Sequence, residues 1–261
     1  MPLSLVRSWF HELVVKRATD VTVDTPSRSA LVVAPHPDDE TLGCGVTILR
    51  KRDRGTPVTL LVVTDGRHSH ASAAISPEAL AALRERELRE AASRLGLADD
   101  AVEWLGIEDG TVGAAEDRLT ARLVELLRQL RPDELYATCA EESHPDHAAV
   151  GRAARRAVAQ VPGATLLEYP IWLWDTWPLQ RGRRLNSACA ALARALPGRT
   201  WAVSTSPLVD RKLFALAAHA SQLGRPDGVP STQEWAGLPE PVLAEASGPV
   251  EVFFRTRPSA G

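Results

Sequence analysis

The chain has 261 residues, 44% of them hydrophobic and 24% charged, which is long enough and apolar enough to bury the core of a globular domain. Its formal net charge of -3 provides no electrostatic basis for nucleic acid or an anionic membrane as the main partner, and we expect neither. The three cysteines stand singly without CxxC spacing, which is typical of reduced thiols in a cytoplasmic protein.

The N-terminal segment is predicted to form an amphipathic helix and a polar connector over residues 1–28, ahead of one domain at 29–261. Charged residues interrupt its apolar positions, so it does not resemble a signal peptide, and no uncharged apolar run is long enough to span a membrane. We expect the helix to pack on the body of the protein or on a second subunit of a homo-oligomer. A helix lying on a membrane surface is the alternative.

A strand, a helix and a second strand are predicted in the next 35 residues. Ala30 to Ala34 is a short apolar run typical of a buried strand, and 40–54 favours a helix. Gly55 and Pro57 end that helix, and 58–63 is a second apolar strand. This βαβ order predicts an α/β fold with a largely parallel sheet.

The same alternation continues along the chain without a linker that would divide it. Further predicted helices lie at 77–95, 119–130, 148–160 and 207–223, and further strands at 102–105, 134–138, 165–169 and 250–255. In the first of these helices Glu87 falls on the apolar stripe, and Arg84, three residues earlier, is its predicted partner.

Two polar turns follow predicted strands and contain most of the candidate chemistry. The first contains His36, Asp38 and Asp39, and the second contains His144 and His147. Parallel strands present their carboxyl ends at one edge of a sheet, where such folds bind ligands. A single His-Pro-Asp turn is also ordinary loop chemistry, but its occurrence after two strands favours a shared site.

Two imidazoles and one carboxylate, here His36, His147 and Asp39, form a common catalytic zinc set that leaves one position open. A metal bound there lowers the pKa of a water molecule and polarises a carbonyl group. Asp38 is then a candidate general base, and His144 a candidate acid or oxyanion stabiliser. Asp146 lies between the two histidines of the second turn and is the candidate that orients His144.

Glycines, histidines and tryptophans elsewhere in the chain also fit other functions. Gly43 and Gly45 suggest a dinucleotide loop, but a third glycine is missing and the preceding turn is acidic, so we reject it. His68 and His70 suggest either a second metal site or, as we favour, a polar loop bordering the crevice. Trp172, Trp174 and Trp177 suggest either packing in the core or an interface, or an apolar wall against a sugar ring, with similar weight.

The motifs resemble those of a known family. Residues 35–40, Pro-His-Pro-Asp-Asp-Glu, are similar to the (A/P)HPDDE signature of the PIG-L (LmbE-like) metal-dependent N-deacetylases, and 144–147 resemble their HPDH motif. Arg84-x-x-Glu87, Asp109-Gly110 and the late 219–222 segment, H-x-S-Q, also match, so the resemblance spans about 29–255.

The resemblance implies a single Rossmann-like domain, with a mostly parallel sheet between helices. It implies that His36, Asp39 and His147 bind Zn²⁺, with Fe²⁺ or another divalent metal as alternatives. It also implies the remaining roles. Asp38 would be the general base, His144 would stabilise the oxyanion and protonate the leaving amine, and Asp146 would support His144.

The resemblance further implies a small-molecule substrate of the N-acetylglucosamine type. Arg67 follows Gly66 in a substrate-facing loop where the family often has an acidic residue. We expect substrate contacts from this loop, at Arg67, His68 and His70, and from Trp172 and Trp174. Our hypothesis is a zinc-dependent hydrolase that removes an N-acyl group, most simply acetyl, from an amino-sugar conjugate. The alternative is a non-catalytic carbohydrate-binding or assembly protein that retains the fold.

Overall fold

In the computed structural model, which describes residues 3–69, 75–179, 184–226, 229–231 and 234–256, eight strands form one sheet. In chain order they are β1 (Thr19–Asp20), β2 (Ala30–Ala34), β3 (Val58–Thr64), β4 (Val102–Ile107), β5 (Glu134–Thr138), β6 (Thr165–Tyr169), β7 (Thr200–Ser204) and β8 (Val250–Thr256). Across the sheet the order is β1-β7-β8-β6-β5-β2-β3-β4. Only β8 runs antiparallel to its neighbours, so the predicted, mostly parallel α/β sheet is confirmed.

Helices cover both faces of the sheet. Within the described residues they are α1 (Leu3–Arg17), α2 (Asp39–Asp53), α3 (Pro77–Arg94), α4 (Glu116–Leu130), α5 (Pro145–Gln160), α6 (Arg184–Arg194), α7 (Val209–Leu216), α8 (Ala220–Leu223) and α9 (Glu240–Ala246). Apolar side chains of α2, α3, α7 and α9 pack on one face, and those of α4 and α5 on the other. Every residue of β2 is buried, as expected for a central parallel strand covered on both faces.

The N-terminal helix α1 is attached to the same body. Phe10 and Val14 are buried in a cluster with α6 and β8, and His11 Nε2 lies 3.1 Å from Glu245 Oε1. Trp9, on the outer side of α1, is 61% exposed. The following strand β1 pairs with β7 at the edge of the sheet. Among the described residues no helix is long and apolar enough to cross a membrane.

Two local predictions were wrong. The helix predicted over 207–223 is divided into α7 and α8, because the backbone at His219 is not helical and its side chain turns inward to Glu40. Arg84 does not pair with Glu87. The Glu87 carboxylate instead accepts hydrogen bonds from the backbone N–H and the hydroxyl of Ser221, at 2.8 and 2.6 Å.

The glycines of α2 serve close packing. A Cβ atom at Gly43 would clash with the Tyr169 ring, and one at Gly45 would lie 2.8 Å from the side chain of the buried Lys212. These glycines therefore let α2 lie against its neighbours. This packing role agrees with our rejection of a dinucleotide loop.

Candidate active site

The two polar turns meet at one edge of the sheet. Strands β2 and β5 are parallel neighbours, so the turns that follow them emerge side by side. The first turn delivers His36 and then Asp39, the first residue of α2. The second leads into α5, whose first turn contains His147. All three side chains are buried.

Three atoms of these side chains form a compact triangle. His36 Nδ1 lies 3.1 Å from His147 Nε2, and each of these nitrogens lies near Asp39 Oδ2, at 3.3 and 3.2 Å respectively. Tetrahedral zinc with bonds of about 2.0–2.1 Å separates its ligand atoms by roughly 3.3 Å. Burial opposes ionisation of Asp39, but the adjacent rings of His147 and His36 hold its pKa well below the usual range. The donor set therefore fits a divalent metal ion.

Two further carboxylates orient His36. Its Nε2 lies 3.0 Å from Asp109 Oδ1 and 3.3 Å from Asp146 Oδ2. A nitrogen between two carboxylate oxygens carries the proton of the neutral ring, so the lone pair of Nδ1 is directed at the triangle. The hydrogen bond to His36 lowers the pKa of Asp109 to about 2, although burial acts in the opposite direction.

The structure corrects the expected contact of Asp146. Its carboxylate does not reach His144 but accepts hydrogen bonds from the backbone N–H groups of Gly110 and Val112, at 2.7 and 3.1 Å, and faces His36. Only the backbone N–H of Asp146 contacts the ring of His144. The physical reason is the loop after β4, whose backbone N–H groups at Gly110 and Val112 hold the carboxylate beside His36.

Replacement of Asp109 by Asn should weaken metal binding by about 10–100-fold. The amide is uncharged, so it is a weaker acceptor for His36 Nε2–H and no longer fixes the tautomer in which Nδ1 is free to bind metal. Competition with a fluorescent zinc chelator measures this affinity. Glu108→Gln is the matched control, since that carboxylate contacts His68 and not His36. Equal affinity in the Asp109 variant and the control would show that Asp109 does not support the metal site.

Asp38, in the first turn between His36 and Asp39, has a strained backbone. Its φ of 144° lies in a region that residues other than glycine rarely adopt. Arg84 Nη2 lies 3.2 Å from its carboxylate and also donates to Pro37 O at 2.6 Å. Burial raises the pKa of the Asp38 carboxyl to about 6, with Arg84 opposing the shift and Asp39 adding to it. A carboxylate with this pKa is suited to exchange protons near neutral pH.

Glu40 and His219 stabilise this turn through buried hydrogen bonds. The buried Glu40 carboxylate accepts the backbone N–H of Asp38 at 3.1 Å, and its other oxygen lies 3.2 Å from His219 Nε2. His219 is more than 170 residues away in the chain, so periodicity alone did not connect the two. The resemblance to H-x-S-Q was the only sequence signal for it.

His144 caps α5 and faces the pocket. Its Nδ1 accepts the backbone N–H of Asp146 at 3.3 Å, so the neutral ring carries its proton on Nε2. Burial, reinforced by the neighbouring rings of His147 and His36, lowers the pKa of His144 to about 4. At neutral pH this side chain is therefore an uncharged hydrogen-bond donor.

A pocket of about 350 Å³ opens over these groups, and its lining tests the predicted substrate contacts. His68 and Trp172 line it, whereas Arg67 is paired with Asp65 and does not. Trp174 packs against His11 and Phe254 and is not among the described residues that line the pocket. His70 lies outside the described residues.

Part of the lining was not foreseen from sequence. Gln222 and the segment 236–239 reach the pocket from the C-terminal part of the chain. Leu238 N–H donates to Gln222 O at 2.7 Å, which fixes the segment there. Gln222 ends the H-x-S-Q match at 219–222, whereas no motif marks 236–239, and the fold brings both to the edge where the two turns meet.

Comparison with known proteins places these features in a family. The model of the PIG-L family, described as GlcNAc-PI de-N-acetylase, matches residues 31–158. A Bacillus cereus protein named "Probable N-acetyl-alpha-D-glucosaminyl L-malate deacetylase 2" is 32% identical over 75% of this chain and 84% of its own length. The 1D-myo-inositol 2-acetamido-2-deoxy-alpha-D-glucopyranoside deacetylase of Kineococcus radiotolerans is 29% identical over 84% of this chain and 76% of its own.

A solved structure agrees in fold. The N,N'-diacetylchitobiose deacetylase of Pyrococcus horikoshii superposes with a TM-score of 0.60 at 23% identity, covering 88% of this chain and 82% of that one. Together with the extent of the sequence matches, this confirms the predicted resemblance. The chain belongs to the PIG-L family.

Proposed function

We propose that the protein is a metal-dependent hydrolase that removes an N-acetyl group from an amino sugar. The observation that carries this proposal is the triangle of His36 Nδ1, Asp39 Oδ2 and His147 Nε2 beneath an open pocket. The names of the relatives support the amino-sugar substrate, since both act on acetylated glucosamine conjugates. We infer that the resident metal is Zn²⁺, because this donor set is typical of catalytic zinc.

In the proposed reaction one water adds across the amide, and acetate and a free amine are released. A divalent ion held by the triangle would supply an acidified water and a polarised carbonyl. Asp38 accepts the proton of the attacking water on its carboxylate, and Arg84 holds that carboxylate in place. The Asp38 side chain is buried, so this proton is held away from bulk solvent and can pass to the leaving nitrogen.

His144 donates Nε2–H to the developing oxyanion. As an uncharged ring it has no second proton to release, so we assign protonation of the leaving amine to Asp38, which differs from the role expected for His144 from the resemblance. Asp146 acts with Asp109 on His36 and not on His144. Proton transfer is thus assigned to the Asp38 carboxylate, and oxyanion binding to His144 Nε2–H.

The test is amine release from a panel of N-acetylglucosamine glycosides by the zinc-loaded protein. Fluorescamine detects the amine, and an acetate assay checks the stoichiometry of one acetate per amine. We expect turnover that a chelator abolishes and added zinc restores. Full metal occupancy without amine release from any member of the panel would contradict the proposed function.

A further inference from the structure

The lining of the pocket divides by chemistry into a polar part and an apolar part. The polar part contains the metal-binding triangle with Asp38, Asp109 and Arg84. The apolar part, which we call the apolar wall, consists of Leu42, Trp172, Ala236, Leu238 and Pro239. Three separate regions of the chain contribute to it: α2, the loop after β6 and the segment before α9.

The apolar wall is held in place by hydrogen bonds that are buried or partly buried. The Glu142 carboxylate accepts the backbone N–H groups of Ile171 and Trp172, at 2.6 and 3.0 Å. Leu238 N–H donates to Gln222 O at 2.7 Å, and Trp235 Nε1–H donates to Ser221 O at 2.8 Å. A preformed apolar surface binds an apolar group without the cost of ordering loops.

Cationic side chains that line or border the pocket are already engaged. Arg84 contacts Asp38, Pro37 O and Gly66 O, and Arg67 is paired with Asp65. Among the described residues that line the pocket, Arg84 is the only lysine or arginine. A carboxylate placed against the apolar wall would therefore lose hydration without gaining an ionic partner there, which is unfavourable.

From these observations we propose that the amino-sugar substrate carries an uncharged, apolar substituent, an alkyl or aryl group, that packs on the apolar wall. This inference rests on the proposed function and narrows its substrate class. It predicts a preference different from that of a relative whose name specifies a malate conjugate, which is dianionic at neutral pH.

The experiment compares kcat/KM of the zinc-loaded protein for N-acetylglucosamine and for its hexyl, phenyl and malyl glycosides. An N-hexanoyl glucosamine is included to distinguish an apolar acyl group from an apolar aglycone. At least one apolar substrate should exceed N-acetylglucosamine by tenfold or more, and the malyl glycoside should not. A malyl glycoside that equals or exceeds every apolar substrate would overturn the inference.

Variants locate the effect at the apolar wall. Leu238→Ser should reduce the ratio of apolar to unsubstituted substrate at least threefold, and Leu238→Arg should raise kcat/KM for the malyl glycoside relative to the hexyl glycoside. Leu192→Ser is the matched control, because Leu192 is 63% exposed on α6 and does not line the pocket. Unchanged ratios in both Leu238 variants would contradict the assignment to this wall.

Binding separates this inference from the proposed function. Hexyl glucosaminide and glucosaminyl malate contain no amide to hydrolyse. Calorimetric titration with each compound therefore measures its dissociation constant at the pocket without turnover. Tighter binding of the hexyl compound with no amine release from any amide would disprove deacetylation but support the apolar ligand. Amine release together with tighter binding of the malate compound would support deacetylation and disprove the apolar substituent.

Discussion

Replacement of Asp38 by Asn should lower kcat by roughly 10²–10⁴-fold, the usual contribution of a general base, while the metal stays bound. The amide is nearly isosteric with the carboxylate but accepts no proton from water. Asp38 is not part of the ligand triangle, so metal content by mass spectrometry should equal that of the unchanged protein. Asp53→Asn is the control, since its exposed carboxylate pairs with Arg211 and lies outside the pocket.

The same residue should govern the acidic limb of the pH profile. A base must be deprotonated to act, so kcat/KM should fall as the pH drops through the pKa of Asp38, about 6. In the Asn variant the residual activity should lose this limb. Loss of metal from the variant would instead make Asp38 a ligand, and an unchanged kcat would remove it from catalysis.

Single replacement of His36, Asp39 or His147 by Ala should abolish metal binding at stoichiometric zinc and reduce amine release to background. Each side chain supplies one vertex of the triangle, and two remaining ligands hold a catalytic zinc poorly. Equilibrium dialysis followed by metal analysis measures the loss, and circular dichroism checks that the fold is retained.

His68→Ala is the matched control for this set. His68 also lines the pocket, but its Nε2 contacts Glu108 and it contributes no atom to the triangle. It should therefore retain one metal ion per chain. Full metal occupancy in all three triangle variants would show that other residues hold the metal.

Local sequence patterns determined the framework of this protein. Apolar runs such as 30–34 predicted the strands, and Pro77 and Gly96 delimited α3. Because parallel strands end at a common edge, two His-Pro-Asp turns after β2 and β5 were enough to predict one site containing His36, Asp39 and His147. These signals are local, since they depend on side chains within a few residues of one another.

Contacts between distant segments were decided by the tertiary structure alone. Periodicity placed Arg84 beside Glu87, but across the fold each finds a better partner, in Asp38 and in Ser221. Trp174 likewise packs, partly buried, against His11 and Phe254, although Trp172, two residues earlier, lines the pocket.

The identity of the proposed substrate depends most on contacts between segments that are distant in the sequence. The apolar wall unites Leu42 with Leu238, nearly two hundred residues apart, and no motif marks either position. Asp109 reaches His36 from the loop after β4 in the same way. Backbone preference and hydrophobic period act over one or two turns, whereas the partner of a buried polar or apolar side chain is set by how the layers pack. The sequence by itself therefore determined the sheet and the edge at which the two polar turns meet, and packing decided what surrounds them.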